Sequence, residues 1–189
     1  TSASNRKLGD IVTFKNGLNY DRNSNGDIIK IIGVGDFQNN KTPKWESLED
    51  IEISGNLSKD YELHKNDLLV VRSNGSASLV GRFLLIDKEP YVKTSFSGFT
   101  IRLRLANKDI YDSKFLFHYL SSPITRDKLV KNTSGSNIKS LNQTLLSSIE
   151  IPMISFDEQK NIVSQIETLE LKIIQNLFLR NNFFVFIVI

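Results

Sequence analysis

SFDEQKNIVSQIETLELKIIQNL, Ser155 to Leu177, is where the chain changes period. Ser155 and Glu158 have the spacing of a capping box, in which the two side chains satisfy each other's backbone donors at a helix start. Behind it, Ile162, Ile166, Leu169 and Ile173 recur at intervals of four, three and four residues, and Asn176 continues the register as a polar member. A repeat of about 3.5 residues keeps such positions on one seam of a helix. Val163 and Leu177 widen the apolar face. The spacing predicts a helical arm over 155–180, ended by the Asn181–Asn182 pair, with an apolar tail over 181–189. Two occupants of the seam stay open: the arm's own domain, or a helix from another chain.

Residues 1–154 read differently. Strand-like runs occur at 8–14 (LGDIVTF), 28–34 (IIKIIGV), 68–71, 79–86 and 99–105. Asn25–Gly26, inside the polar run 21–27, predicts a turn or hairpin between the first two. Residues 37–48, with Pro43 and Trp45, read as a long exposed loop. In 99–105, Phe99, Ile101, Leu103 and Leu105 alternate with Thr100, Arg102 and Arg104. The two arginines fit a plain solvent face better than a phosphate grip. SKFLFHYLSS reads as a helix capped by Ser113 and stopped by Pro123, and ITRDKLVKN as a second one. A small polar loop over 133–143 contains Lys139, and IEIPM is a short strand closed by Pro152. The expected fold is α+β: a mixed, twisted sheet with short helices, then a long C-terminal helix that forms a coiled coil.

Composition narrows the function. With 189 residues, 40% hydrophobic and 24% charged, the chain can build a real core and is not disordered. No cysteine is present, which removes disulfides and thiolate metal sites and fits a reducing cytoplasm. Nothing at the start reads as an export leader. The apolar run Phe183–Ile189 is far shorter than the ~20 residues of a spanning helix. His64 and His118 are isolated and read as structural. The net charge of +3 is unevenly spread: residues 101–150 hold eight Lys and Arg against four Asp and Glu. A local basic excess is the footprint of a nucleic-acid binder, and also of many solvated faces. Metalloprotease, Walker and nucleophile-elbow motifs are absent. GVGDF at 33–37 is a lone GxG, and Asp87–Lys88–Glu89 lacks the spaced carboxylates of a nuclease. No catalysis, metal or cofactor is expected of this chain.

DLLVVRSNGSASLVGRFLLI, Asp67 to Ile86, is the most suggestive loop. A hairpin with a two-residue Asn74–Gly75 turn is one reading. The other is a donor-rich loop facing DNA, and the two are compatible. Arg72 could read a guanine edge or hold a phosphate, and Asn74 could match an adenine edge. Ser73, Ser76 and Ser78 could bond phosphate or base, and Gly75 lets the backbone come close.

Several stretches, in order, resemble the specificity subunit (HsdS) of Type I restriction–modification systems. They are KLGDIVTFKNGLNY, NDLLVVRSNGSASLVGR, TSFSGFTIRLR, SKFLFHYLSSP, TSGSNIKSLNQTLLSSIEIP and DEQKNIVSQIETLELKI. The ordered set runs from Lys7 to about Ile174. The resemblance implies a target recognition domain over 1–154 and a conserved helical dimerisation and spacer arm over 155–180. Family members usually carry two recognition domains joined by helices packed as a coiled coil, and this sequence has one of each. Its NNFFVFIVI end also departs from the charged helix expected there. The family reads a bipartite site on double-stranded DNA and directs modification (methyltransferase) and restriction subunits to it. S-adenosylmethionine belongs to the modification subunit. The resemblance puts the polar loops near DNA. The candidate DNA-binding residues are therefore Lys15, Asn16, Tyr20, Arg22, Arg72, Ser73, Asn74, Ser76, Arg82, Lys93, Thr94, Ser95, Ser134, Ser136, Asn137 and Lys139. Ile162, Ile166, Leu169, Ile173, Asn176 and Leu177 are the candidates for homodimerisation. The rival readings are a protein-interaction module that dimerises through its helix without binding DNA, and a nuclease fused to a recognition fold.

Overall fold

The computed structural model describes residues 4–20, 25–73, 78–131 and 140–187. Its elements are β1 (Asn5–Lys7), β2 (Val12–Asn16), β3 (Ile28–Ile32), β4 (Glu49–Glu52), β5 (Leu68–Val71), β6 (Phe83–Leu85), β7 (Thr94–Phe96), β8 (Thr100–Leu105), α1 (Ser113–Ser121), α2 (Pro123–Lys131), α3 (Gln143–Ser147), β9 (Glu150–Pro152) and α4 (Phe156–Ile187). The fold is mixed α and β, as expected.

The central strand, β5, reads LLVV, and all four residues are buried. A strand covered on both faces needs a continuous apolar run rather than an alternating one. Leu68 and Val70 face one core, shared with Ile101, Leu103, Phe115, Leu116 and Leu120. Leu69 and Val71 face a second core, with Ile32, Phe37, Leu63 and Phe96. The main sheet is antiparallel in the order β2-β8-β5-β6. Helices cover its first face. A three-stranded sheet, β4-β3-β7, lies toward the second, and its β3–β7 pair is parallel. A small β1–β9 sheet ties the first strand to the residues just before α4.

Several expectations change. β2 and β3 are in different sheets, so they form no hairpin. The run 8–14 opens with a 3₁₀ turn, Leu8–Asp10, and 28–34 closes in another, Val34–Asp36. β5 and β6 do form a hairpin, but a turn at Asn74–Gly75 would set Val71 opposite Ser78. Instead the Val71 N–H donates to the Arg82 carbonyl at 3.0 Å, so the link is much longer than two residues. Residues 37–48 are not simply exposed. Phe37, Pro43 and Leu48 are buried, and the Trp45 indole N–H donates to Asp87 at 2.9 Å. The cap of α1 is Asp112, whose carboxylate accepts from the Phe115 N–H at 2.9 Å, while Ser113 is the first helical residue. Pro123 ends α1 by starting α2, where its missing N–H costs nothing.

The arginines of β8 do not face solvent. Arg102 is buried, donates to the Asp60 carbonyl at 2.8 Å and lies over the Phe96 ring. Burial lowers its pKa. Arg104 makes a bidentate pair with Asp67 at 2.7 and 2.8 Å, and that contact raises its pKa. Asp67 is 1% exposed and also accepts from the His64 N–H. The polar face of β8 packs against the loop 60–67 because every charge on it is paired or hydrogen-bonded.

The capping box at the start of α4 is formed. The Glu158 N–H donates to Ser155 Oγ, and the Ser155 N–H donates to the Glu158 carboxylate at 2.9 Å. These bonds hold the Glu158 carboxyl below its usual pKa. The helix is fastened to the domain over its first four turns. Gln159, fully buried, donates to the Ile110 and Ile154 carbonyls and accepts from the Asp112 N–H. Val163 enters the main core, Lys114 pairs with Glu167 at 2.7 Å, and Lys41 pairs with Glu170. Beyond Glu170 the helix leaves the domain: Leu171, Ile173, Ile174, Leu177, Phe178 and Leu179 are all exposed. Asn181–Asn182 does not end it, since α4 continues to Ile187. Asparagine lowers helix propensity by only a fraction of a kcal/mol, about 0.7 or less, too little to stop a helix that is already propagating. Among the described residues, no helix is long and apolar enough to cross a membrane.

Replacing Arg104 with alanine leaves the buried Asp67 carboxylate without its cation. We expect a loss of about 3 kcal/mol in denaturant unfolding, the low end for a broken buried pair because the Arg104 side chain is 28% exposed. Arg104→Lys should recover part of it.

Candidate nucleic-acid interface

The antiparallel order brings four chain segments to one end of the main sheet: the exit of β2, the entry of β8, the exit of β5 and the entry of β6. Backbone bonds zip them together. The Gly17 N–H donates to the Thr100 carbonyl at 3.0 Å, and the Leu18 N–H to Phe96 at 2.8 Å. In return, the Gly98 N–H donates to Leu18 at 2.8 Å. The Phe99 carbonyl accepts from the Arg72 N–H at 2.9 Å and the Ser73 N–H at 3.4 Å. The Leu141 N–H donates to the Arg72 carbonyl at 2.7 Å, and Ser73 bridges Ser140 in antiparallel fashion. The two small polar loops that stand apart in sequence, 72–78 and 133–143, are therefore joined at Ser73 and Ser140. Glycine is required where the strands come closest, because a Cβ on Gly17 would sit 1.9 Å from the Ser97 carbonyl oxygen.

The candidate residues divide by environment. Arg72 and Ser73 are half-buried at this end, and Arg72 Nε is buried with no partner among the described residues. Asn16 is exposed and accepts from Gln143 Nε2 at 3.1 Å. Asn19, which the sequence reading passed over, is exposed beside Gly98. Arg82 donates from Nε to the Ser78 carbonyl at 3.2 Å, and Arg126 grips the same oxygen. Both arginines thus anchor the returning end of the loop to α2. They line a groove of about 350 Å³ with Lys41, His118 and Glu170. Burial lowers the pKa of His118 there. Tyr20 packs against the Ile29, Ile31 and Ile51 cluster, and Lys15 sits 3.6 Å from Asp60 and over the Tyr61 ring.

Three candidates move away from the site. Thr94 and Ser95 are 2% and 0% exposed, because β7, although at the edge of its sheet, is buried along its whole length, and they present no surface to a duplex. Lys93 lies before β7, at the opposite end from Ser97–Phe99, and donates to Asp27 at 2.6 Å. This hydrogen bond raises the Lys93 pKa and lowers that of Asp27. Arg22, Asn74, Ser76, Ser134, Ser136, Asn137 and Lys139 lie outside the described residues. The basic excess of 101–150 is also not one face: Arg102 and Arg104 are internal, Lys114 pairs with Glu167, and Arg126 holds a loop. Among the described residues, no group of three or more His, Asp or Glu could hold a metal.

Residues 3–178 match the family model described as the Type I restriction modification DNA specificity domain. The chain belongs to this family. The specificity subunit of the StySPI Type I restriction enzyme of Salmonella potsdam is 30% identical over 162 residues, 84% of this chain and 34% of that one. The EcoKI specificity subunit of Escherichia coli (strain K12) is 28% identical over 161 residues, 84% of this chain and 32% of that one. The chain thus spans about a third of the length of these curated specificity subunits. The solved HsdS subunit from Thermoanaerobacter tengcongensis has the same fold, with a TM-score of 0.63, 18% identity and coverage of 91% of this chain and 38% of its own. A structure of a type I R-M system described in terms of complex assembly and conformational transition gives a TM-score of 0.64 at 16% identity, over 91% of this chain and 39% of its own.

Gly17→Ala should push β2 off the Ser97 turn. We expect a loss of about 2 kcal/mol in thermal unfolding, as for other overpacked sites.

Proposed function

We propose that this chain is a sequence-specific DNA-recognition unit of a Type I restriction–modification enzyme. It reads one half of a bipartite site on double-stranded DNA and directs methyltransferase and restriction subunits there, with no chemistry of its own. The observation that supports the reading is the Ser73–Ser140 bridge, which joins the chain just after Arg72 to the segment before α3 at one sheet end. Loops on a rigid sheet are suited to base reading, since the scaffold holds donors in place while loop sequence can vary. Phosphate contacts set affinity and its salt dependence, and base contacts set the sequence.

The test is selection of bound duplexes from a random pool, with the modification subunit present, followed by titration in salt. Arg72→Ala should relax the preference at one base pair by ~1–3 kcal/mol if the guanidinium reads an edge. Lys93→Ala, which breaks the pair with Asp27, should leave the selected sequence and the salt slope unchanged. Selection of no sequence at all would favour the protein-interaction reading.

The exposed length of α4 supports a second element of the proposal. Leu169 and Ile173 are 59% and 57% exposed on the predicted seam with the exposed Asn176, and Leu177, beside the seam, is 54% exposed. Ile166 is half-buried and Ile162 is 38% exposed, so the free part of the seam starts later than the heptad does. Pairing two copies of α4 as a coiled coil covers both stripes and supplies a second recognition domain. The two-fold dimer then reads a palindrome split by a spacer, and Asn176 fixes its register. Sedimentation of the wild type against an Ile173→Asp, Leu177→Asp double variant decides this. The wild type should be a dimer at micromolar concentration and the variant a monomer. A monomeric wild type would instead assign the seam to helices of the modification subunit.

A further inference from the structure

Phe99 is a large apolar side chain that the fold leaves exposed at the candidate interface. Alternation along 99–105 places it inward with Ile101 and Leu103, yet β8 begins at Thr100 and Phe99 stands 61% exposed on the β7–β8 turn. A scattered exposed aromatic needs no explanation by itself. This one is held rigidly in the middle of the candidate interface. Its carbonyl accepts from the Arg72 and Ser73 N–H groups. Across the turn, Thr100 donates to the Ser97 carbonyl from both its N–H, at 2.9 Å, and its hydroxyl, at 2.8 Å. Gly98 donates to Leu18 and lies against Asn19 so closely that a Cβ would meet Asn19 Oδ1 at 2.0 Å. The backbone is thus pinned on three sides while the ring points away from the core.

From this we infer that Phe99 is a specificity-determining residue whose ring packs against bases of the bound duplex. The inference rests on the DNA-recognition reading and deepens it. The surrounding donors, Arg72, Ser73 and Asn19, suit phosphates and polar base edges, and none offers apolar contact to a thymine methyl or to an opened base step. Phe99 supplies it. Apolar side chains do both in DNA complexes, touching thymine methyls in the major groove or wedging base steps from the minor groove. A pinned turn presents the ring at little entropic cost, because only two side-chain torsions remain to be fixed.

The experiment compares the wild type with Phe99→Ala and Phe99→Leu on the duplexes the wild type selects from a random pool, with unselected duplex as reference. Tyr91→Ala is the control, since Tyr91 is 88% exposed before β7, at the other end of that strand. We expect Phe99→Ala to lose about ten-fold in affinity for the selected duplex, ~1.4 kcal/mol, with unchanged affinity for unselected duplex and an unchanged melting temperature. Phe99→Leu should recover part of the loss, and Tyr91→Ala should lose nothing. Either of two signals, present in the wild type and absent in Phe99→Ala, identifies the contact. Sensitivity to replacing thymine by uracil indicates a methyl contact, and a rise in 2-aminopurine fluorescence indicates a wedged step. If Phe99→Ala keeps the wild-type preference for the selected duplex, the inference is overturned and the DNA reading stands. If the wild type selects no duplex, both fall.

Discussion

Burial of β5 on both faces is the constraint from which the rest of this fold follows. Leu68 to Val71 are covered twice, by helices on one side and by a second sheet on the other. That requirement makes β8, its neighbour, an inner strand as well. β8 carries two arginines, so the protein must neutralise charge inside its own wall. It does so with Asp67, placed immediately before β5, and with backbone carbonyls of 60–62. The ion pair and the apolar run are parts of one arrangement: the strand that demands two-sided cover also delivers the carboxylate that lets its neighbour be covered.

The same sheet order creates the candidate interface. Four antiparallel strands put β2, β5, β6 and β8 termini at a common end, where serine, asparagine and glycine stand beside the apolar Leu18, Val80 and Phe99. Close approach of the backbones at Gly17 and Gly98 leaves little freedom in the turns. The loop that follows β5 is held at both ends, at Ser73 by Ser140 and at Ser78 by Arg82 and Arg126. Arg82 therefore shapes the site from behind.

α4 serves two surfaces in succession. Its first four turns complete the domain through Gln159 and Val163, so the arm cannot swing freely about Ser155. Its later turns expose apolar residues to water on more than one side. Fixing the root of a helix fixes the direction of its far end, and with it the separation between two recognition domains joined through such helices.

Local physics made much of this legible in the sequence. The capping box at Ser155–Glu158, the buried run of β5, the core-facing set Ile101, Leu103 and Leu105, and the helix–Pro123–helix junction all depend on near neighbours in the chain. What the sequence could not decide was pairing. β2 and β3 are adjacent in the chain but belong to different sheets, and the Val71–Arg82 register overrode a good turn dipeptide at Asn74–Gly75. Arg102 and Arg104 looked like a solvent face because alternation reports only that two faces differ, and says nothing of what covers each. Lys93, Thr94 and Ser95 were candidates because the resemblance puts polar segments near DNA, but Thr94 and Ser95 are buried in β7, and Lys93 pairs with Asp27 at the far end of that strand. Phe99 looked like core by extrapolating a period one residue past the end of its strand. In each case the deciding partner lies many residues away. Only the folded chain brings Ser73 to Ser140, and no local pattern encodes that meeting.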